Sequence, residues 1–267
     1  VRRPLARSLV TNAGRWALNP LWRTARAVPS LDLRFAETKS LADAVSGRSL
    51  VTFTRASSAT VIGSTGVLET VSVDQPRFDH DPITGESLGL LVEEQRTNLL
   101  PRSEEFDNAS WGKADATITS NTVIAPNGTP TGDKLTENIN NTTHLVLQGS
   151  TNLSAGATVC ASIFLKAGER AFASIGTPSG GVGTGINLLT GELVNVSVPG
   201  WSNATTRGAV PFGNGWYRVY FVFTATGNNS LFDALRVFTN NGSTTFYTGD
   251  GTSGIYVWGA QLEAGSF

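Results

Sequence analysis

The sequence predicts a mainly β protein: an antiparallel β-sandwich or jelly roll, preceded by a small β-rich module and an extended N-terminal arm. Three observations carry that expectation. Gly, Ser, Thr and Asn recur along all 267 residues, while apolar residues make up 40% and charged residues 15%, against about 45–50% and about 25% in an average globular domain. From Trp111 onward, short apolar or alternating runs are separated by Gly, Asn, Ser, Thr or Pro clusters, the punctuation of strands and tight turns. Apolar residues at helical spacing are almost absent, and no fixed-period repeat is visible, which disfavours solenoids and propellers.

Charge divides the chain into three zones. Residues 1–30 hold six arginines and no acid, residues 31–106 sum to −5 and residues 107–267 to −2. In the first zone Arg2, Arg3, Arg7, Arg15, Arg23 and Arg26 are interleaved with Trp16 and Trp22, while Pro4, Asn12, Gly14, Pro20 and Pro29 break any long helix. A basic arm on an acidic body is the pattern of a docking tail. These eight residues are therefore the anchoring candidates, with a disordered leader or a membrane or nucleic-acid contact as the other readings of the arm.

In residues 31–106, strands are expected at Leu50–Arg55, Val67–Val73 and Leu88–Glu93, around turns at Gly63–Gly66 and Asp81–Gly85, with a short helix at Ala36–Val45. Residues 107–267 form the expected sandwich. Its strands are Ala116–Ile124, Gly132–Glu137, His144–Gln148, Ala157–Lys166, Ala171–Ile175, Ile186–Leu189, Glu192–Val196, Gly215–Thr226, Leu231–Phe238 and Ile255–Leu262. Within Trp216–Phe223 both alternating faces are largely apolar, so this strand belongs inside a sheet.

Composition removes several function classes. One cysteine, Cys160, allows neither an intramolecular disulfide nor a multi-thiolate metal cluster, and two histidines cannot build a poly-histidine site. No uncharged apolar run approaches the roughly 20 residues of a membrane span, so membrane insertion is not expected. A net charge of −1 makes no general case for nucleic acid. The chain opens on Val1 and contains no methionine, which points to an alternative start codon or to a processed or truncated N-terminus.

Few residues carry a chemical signal. The adjacent acids Glu93-Glu94 and Glu104-Glu105 would point to opposite faces of a strand, so neither pair can flank a glycosidic bond. Asp79-His80-Asp81 reads as a cation site or general base, or, because Pro82 and Gly85 follow, as a turn. Gly180–Gly185 precedes no helix and reads as a loop rather than a phosphate cradle. Cys160, inside an apolar run, reads as a buried thiol. Sugar rings stack on exposed aromatic rings and hydrogen-bond to nearby amides. Trp201 and Tyr247 stand beside loop residues, and with Asn203, Asn240 and Asn241 they are the candidate glycan-binding residues. Trp216 and Trp258 sit in strong strands and belong in a core. No catalytic residue, cofactor or metal is expected.

Three stretches resemble a module of virion proteins of tailed bacteriophages and prophages: Leu50-Val-Thr-Phe-Thr-Arg-Ala-Ser-Ser-Ala-Thr60, Pro76-Arg-Phe-Asp-His80 and Gly89-Leu-Leu-Val-Glu-Glu-Gln-Arg-Thr-Asn-Leu-Leu100. In that family the module commonly precedes a sandwich like those of carbohydrate-binding modules or lectins. Asn214-Gly-Trp-Tyr-Arg218 and Ile255-Tyr-Val-Trp-Gly-Ala-Gln-Leu-Glu-Ala-Gly265 resemble two strands of such sandwiches. The resemblance covers residues 31–267. It implies a non-enzymatic fibre, spike or decoration protein on the virion surface. Its partners would be capsid, portal or tail proteins, a homotrimeric or other symmetric assembly, and a host-surface polysaccharide. A purely structural decoration or adaptor is the first alternative. A depolymerase is the second, although such enzymes usually carry a β-helix, whose repeated coils are absent from this sequence.

Overall fold

The computed structural model describes residues 31–149, 153–226 and 235–265, so all eight anchoring candidates in residues 1–30 lie outside the described residues. The chain divides into two compact units between Glu93 and Glu94. That boundary falls ahead of the expected 106/107 because Leu99, Leu100 and Phe106 pack into the hydrophobic core of the second unit.

The first unit is built from α1 (Phe35–Thr38), β1 (Ala59–Ile62), β2 (Leu68–Val71), β3 (Phe78–His80) and β4 (Ser87–Leu90), with β1–β2 and β3–β4 pairing as antiparallel hairpins. The expected helix Ala36–Val45 stops after one turn, where Lys39 takes a left-handed φ of 51°. Asp43 instead organises a turn, accepting the amides of Asp32 and Ser46. Leu50–Arg55 is not a strand. Its end is captured by other means: Arg55 bonds through its amide to Asp74 and through its guanidinium to the carbonyls of Ser57, Val71 and Ser72. Arg77, 7% exposed, donates to the Thr60 carbonyl and to Glu93. Asp79 accepts the Ile62 amide, His80 Nδ1 lies 2.9 Å from the Ile62 carbonyl, and Asp81 accepts the amides of Ile83 and Thr84. The Asp79-His80-Asp81 cluster thus joins β1 to β3 and closes a turn. Among the described residues no group of side chains is placed to hold a metal ion.

The second unit is a two-sheet sandwich. In chain order its strands are β5 (Gly112–Ala114), β6 (Ala116–Val123), β7 (Gly132–Glu137), β8 (Asn141–Thr143), β9 (Leu145–Gln148), β10 (Thr158–Ala167), β11 (Phe172–Thr177), β12 (Val182–Asn187), β13 (Leu193–Val194), β14 (Ser202–Asn203), β15 (Thr206–Phe212), β16 (Trp216–Thr224), β17 (Leu235–Asn240), β18 (Phe246–Thr248) and β19 (Gly254–Ala264). One sheet runs β15-β16-β10-β19-β7-β6 and the other β13-β12-β11-β17-β9-β5, with β14 beside β12 and the β8–β18 hairpin separate. Every pairing is antiparallel except β12–β14.

Alternation along each strand builds the core. Ala161, Ile163 and Leu165 of β10, Val219 and Phe221 of β16, and Val257 and Leu262 of β19 meet Ala173 and Ile175 of β11, Ile186 of β12 and Val237 of β17. Cys160 points the other way yet is 7% exposed, and burial pushes its thiol up to about 11, so it stays protonated at neutral pH. Trp216 and Trp258 are buried as expected, but on the outer side of their sheet. Phe164 packs edge-on to Phe212 and against Trp258. The chain between β6 and β7 binds the two indoles, with Trp216 Nε1 donating to the Ile124 carbonyl and Trp258 Nε1 to Thr131.

Two polar devices fasten the sandwich. Asn98 donates to the Ala260 carbonyl and accepts the amides of Leu100 and Leu262, while Leu99 N–H donates to the Leu262 carbonyl and Arg96 to that of Ala264. The chain entering the second unit is thereby stitched to its last strand. The second device is the carboxylate of Glu137, whose side chain is fully buried. It accepts two bonds from Arg170, one from the Tyr247 hydroxyl and one from the Asp250 amide. Burial alone would raise the Glu137 pKa, but these hydrogen bonds and the Arg170 charge together hold it below the ordinary value.

Two outcomes follow. Arg170→Ala leaves a buried carboxylate without its cation and lowers unfolding free energy by about 3–5 kcal/mol, measured by urea denaturation at pH 7. Because the folded pKa of Glu137 is depressed, its contribution is complete above the unfolded carboxylate value of about 4.3 and disappears as pH falls through the folded value. Arg170→Ala therefore flattens the loss of stability below about pH 4 seen in the parent protein, and an unchanged acid limb would refute the assignment.

Candidate functional site

The outer face of the β13-to-β5 sheet carries the arrangement most suited to a ligand. Ile175, Val237 and Val146 point into the core, so their neighbours face outward. Register places Gly183 of β12, Gly176 of β11, Arg236 of β17, Leu147 of β9 and Gly112 of β5 in one row across the sheet. The next row reads Gly185, Ser174, Phe238, Leu145 and Ala114. Glycines 183 and 185, expected in a loop, are strand residues. A Cβ at Gly183 would lie 2.2 Å from the Ile175 carbonyl oxygen, and one at Gly185 2.5 Å from that of Asn195. Only glycine lets the neighbouring backbone come this near.

Trp201 lies against this floor. It precedes β14 in a loop fixed by Ala204 N–H to the Gly183 carbonyl and by Thr245, which donates through its hydroxyl to the Ser197 carbonyl. The indole occupies the space a side chain at Gly176 would need, since a Cβ there would sit 2.4 Å from the ring. It meets Phe238 edge-on at 5.8 Å and 88°. The indole packs on the sheet, and Trp201 as a residue remains partly exposed.

Arg236 is the cross-strand neighbour of Gly176. It is half-buried, its Nε has no hydrogen-bond partner, and burial alone acts on its pKa, lowering it. Ser174, fully buried in the next row, likewise has an unpartnered hydroxyl.

The remaining candidates are divided. Asn203 is exposed and shares the loop of Trp201, but its amide is engaged: Oδ1 accepts from Val196 N–H and from Arg207, and Nδ2 donates to Asn195. Asn240 is 1% exposed and accepts the Gly242 amide, while exposed Asn241 accepts the amides of Ser243 and Thr244, forming a turn. Tyr247, expected at an exposed position, is 7% exposed, with its hydroxyl shared by Glu137 and Thr239 and its ring 5.3 Å from the Arg170 guanidinium. It belongs to the structural lock. Trp201 and Asn203 are thus brought together, and Asn240, Asn241 and Tyr247 serve other ends. Arg236 was missed because it is embedded in an apolar run. The glycines of β11 and β12 were the available signal for a close-packed ring.

The adjacent acids remain at the surface. Glu93 pairs with Arg77, Glu94 with Arg96 and Glu105 with Arg102. Arg102, Ser103, Glu104, Glu105, Asn121 and Thr131 line a shallow depression of about 450 Å³ that contains no aromatic ring.

No family model and no curated protein matches the chain. Among solved structures it is similar to the enzymatically active domain of tailspike protein 4 of bacteriophage CBA120, with 15% identity and a TM-score of 0.35 over 62% of this chain. It spans 21% of that domain's length. It is also similar to the CBM22-2 xylan-binding domain of Paenibacillus barcinonensis Xyn10C, with 16% identity, a TM-score of 0.37 and coverage of 64% of this chain and 99% of that one. A CBM35 from the same organism gives 12% identity, a TM-score of 0.30 and coverage of 63% and 98%. Likenesses this distant carry no functional information.

Gly176→Ala tests the seating of Trp201. The added methyl would collide with the ring and, at 2.6 Å, with the Val182 carbonyl. The expected result is a loss of about 1–3 kcal/mol together with greater acrylamide quenching of tryptophan fluorescence, the quenching change vanishing in a Trp201→Phe background.

Proposed function

We propose that the protein is a virion component of a tailed bacteriophage, of fibre, spike or decoration type, whose sandwich binds host-surface glycan. The observation that carries the binding function is Trp201. Its large ring is held on a side-chain-free floor by a braced loop, and it stays partly open to solvent. A ring fixed in this way loses little entropy when a sugar stacks on it. The virion context is supported by the module spanning Leu50–Leu100 and by the basic arm, which is the natural attachment to capsid, portal or tail. A homotrimer or other symmetric assembly would multiply weak single-site binding through effective concentration. In this reading the protein performs no chemistry of its own.

The test is retention of the full chain on host capsular and lipopolysaccharide glycans. Trp201→Ala should weaken retention about tenfold or more, the scale of losing one aromatic anchor, with the melting curve recorded alongside. No retention on any bacterial polysaccharide would favour a purely structural decoration, and release of reducing ends would favour a depolymerase. For the arm, deletion of residues 1–30 should leave a folded protein that no longer incorporates into particles. Loss of folding on that deletion would contradict an anchoring role.

A further inference from the structure

We infer that the glycan recognised at the Trp201 face is acidic, and that Arg236 binds its carboxylate, as in a polymer containing uronic acid. This rests on the glycan-binding reading above and names its substrate class.

The protein treats its other arginines differently. Arg34, Arg77, Arg96, Arg102 and Arg170 each face a carboxylate. Arg55 clamps three carbonyls, Arg207 bonds to Thr184, Val194 and Asn203, Arg218 bonds to Ser162 and Gln261, and Arg48 is exposed to water. Half-buried Arg236 has no acceptor of either kind among the described residues. Its neighbours along the row and the next are Gly176, Leu147 and Phe238, all uncharged. A guanidinium partly removed from water, with nothing to replace that water, is a standing loss of stability.

Its position suggests what would relieve that loss. Gly176, the seat of the indole, is the direct cross-strand partner of Arg236. One strand spacing of about 4.8 Å separates the two positions, so a single sugar residue can stack on Trp201 and extend a ring substituent to Arg236. A planar carboxylate is the substituent that accepts two parallel N–H bonds from a guanidinium. Desolvation by Leu147 and Phe238 strengthens such a pair, because less water competes for it. A neutral sugar would leave the cation without its partner.

The experiment uses the full chain and affinity electrophoresis through polygalacturonate and hyaluronate, each compared with its carboxyl-reduced form. The parent protein should be retarded at least about tenfold more strongly by the carboxylated polymers, and Arg236→Gln should abolish that preference. Thermal unfolding supplies a second readout: because Arg236 makes no side-chain bond to the described residues, Arg236→Gln should melt at or above the parent temperature. Equal retardation by carboxylated and reduced polymers, lost in Trp201→Ala, would overturn the acidic ligand and leave glycan binding intact. Retardation by carboxylated polymers that survives Arg236→Gln, or a lowered melting temperature for that variant, would also overturn it. No retardation by either form would overturn this inference, while the glycan reading falls only if host capsular and lipopolysaccharide glycans also fail to retain the protein.

Discussion

The buried carboxylate of Glu137 ties together segments that the two sheets alone would not hold in register. It projects from the end of β7, and its partners arrive from the β10–β11 turn through Arg170, from β18 through Tyr247, and from the following loop through the Asp250 amide. Tyr247 passes the connection to Thr239 of β17, while His144, fully buried, lies between the Asp115 and Tyr247 carbonyls. A charge so far from water is tolerated only when its lone pairs are filled, and here both oxygens are. The energetic asymmetry of such a site is what makes it a register device. Slipping β18 by one residue would move Tyr247 to the opposite face and remove one of the carboxylate's four hydrogen bonds, and slipping β17 would take Thr239 away from the Tyr247 hydroxyl. The same constraint fixes β17 with Arg236 outward, so the outer face that carries Arg236 inherits its geometry from a lock at the end of the sandwich.

The two outer faces of the sandwich differ in how they are finished. One is covered over Trp216, Trp258, Phe164 and Phe212 by the chain between β6 and β7, which satisfies both indole N–H groups. The other is floored with glycine and receives one indole from a loop that is itself bonded to the sheet edge. On the first face aromatic mass extends the core. On the second, the absence of a side chain at Gly176 lets a ring approach the backbone, while the neighbouring Arg236 has no partner among the described residues. Burial that consumes every polar group serves stability. A surface that leaves a guanidinium unpaired is suited to recognition.

Much of the fold was legible in residue order because strand periodicity and turn chemistry are local. Gly132–Glu137 matches β7 to the residue, and β10, β16 and β19 fall within two residues of the expected ends. Failures arose where a long-range contact overrides local preference. Leu50–Arg55 reads as a strand, yet Arg55 spends its donors on carbonyls of another segment. Thr206–Phe212, an edge strand containing Pro211, was invisible because its pairing to β16 is set by the partner. The glycine run Gly180–Gly185 looks like a loop until the Ile175 and Asn195 carbonyls are placed against it. The candidate site was half legible. An aromatic ring beside Asn and Gly suggests exposure, which holds for Trp201 and fails for Tyr247, because the buried acid that claims its hydroxyl lies 110 residues away.

The motifs that carry the phage resemblance hold backbone in place. Arg55, Arg77, Asp79 and His80 hold backbone groups inside the first unit, and Asn98 brackets the Ala260–Leu262 stretch of the last strand. The Glu94–Leu100 end of one quoted motif and Ile255–Gly265 are therefore one hydrogen-bonded structure within the second unit, which accounts for such specific polar wording in a chain otherwise rich in interchangeable Ser, Thr and Asn. An amide that accepts two backbone N–H groups and donates to a carbonyl has no chemically equivalent substitute. These side chains bind the backbone of their own unit, and the motifs consequently speak for architecture. Trp201 and Arg236 lie in none of them. Under the proposed reading, ligand choice would rest on a loop and on an outward strand position that none of these motifs includes.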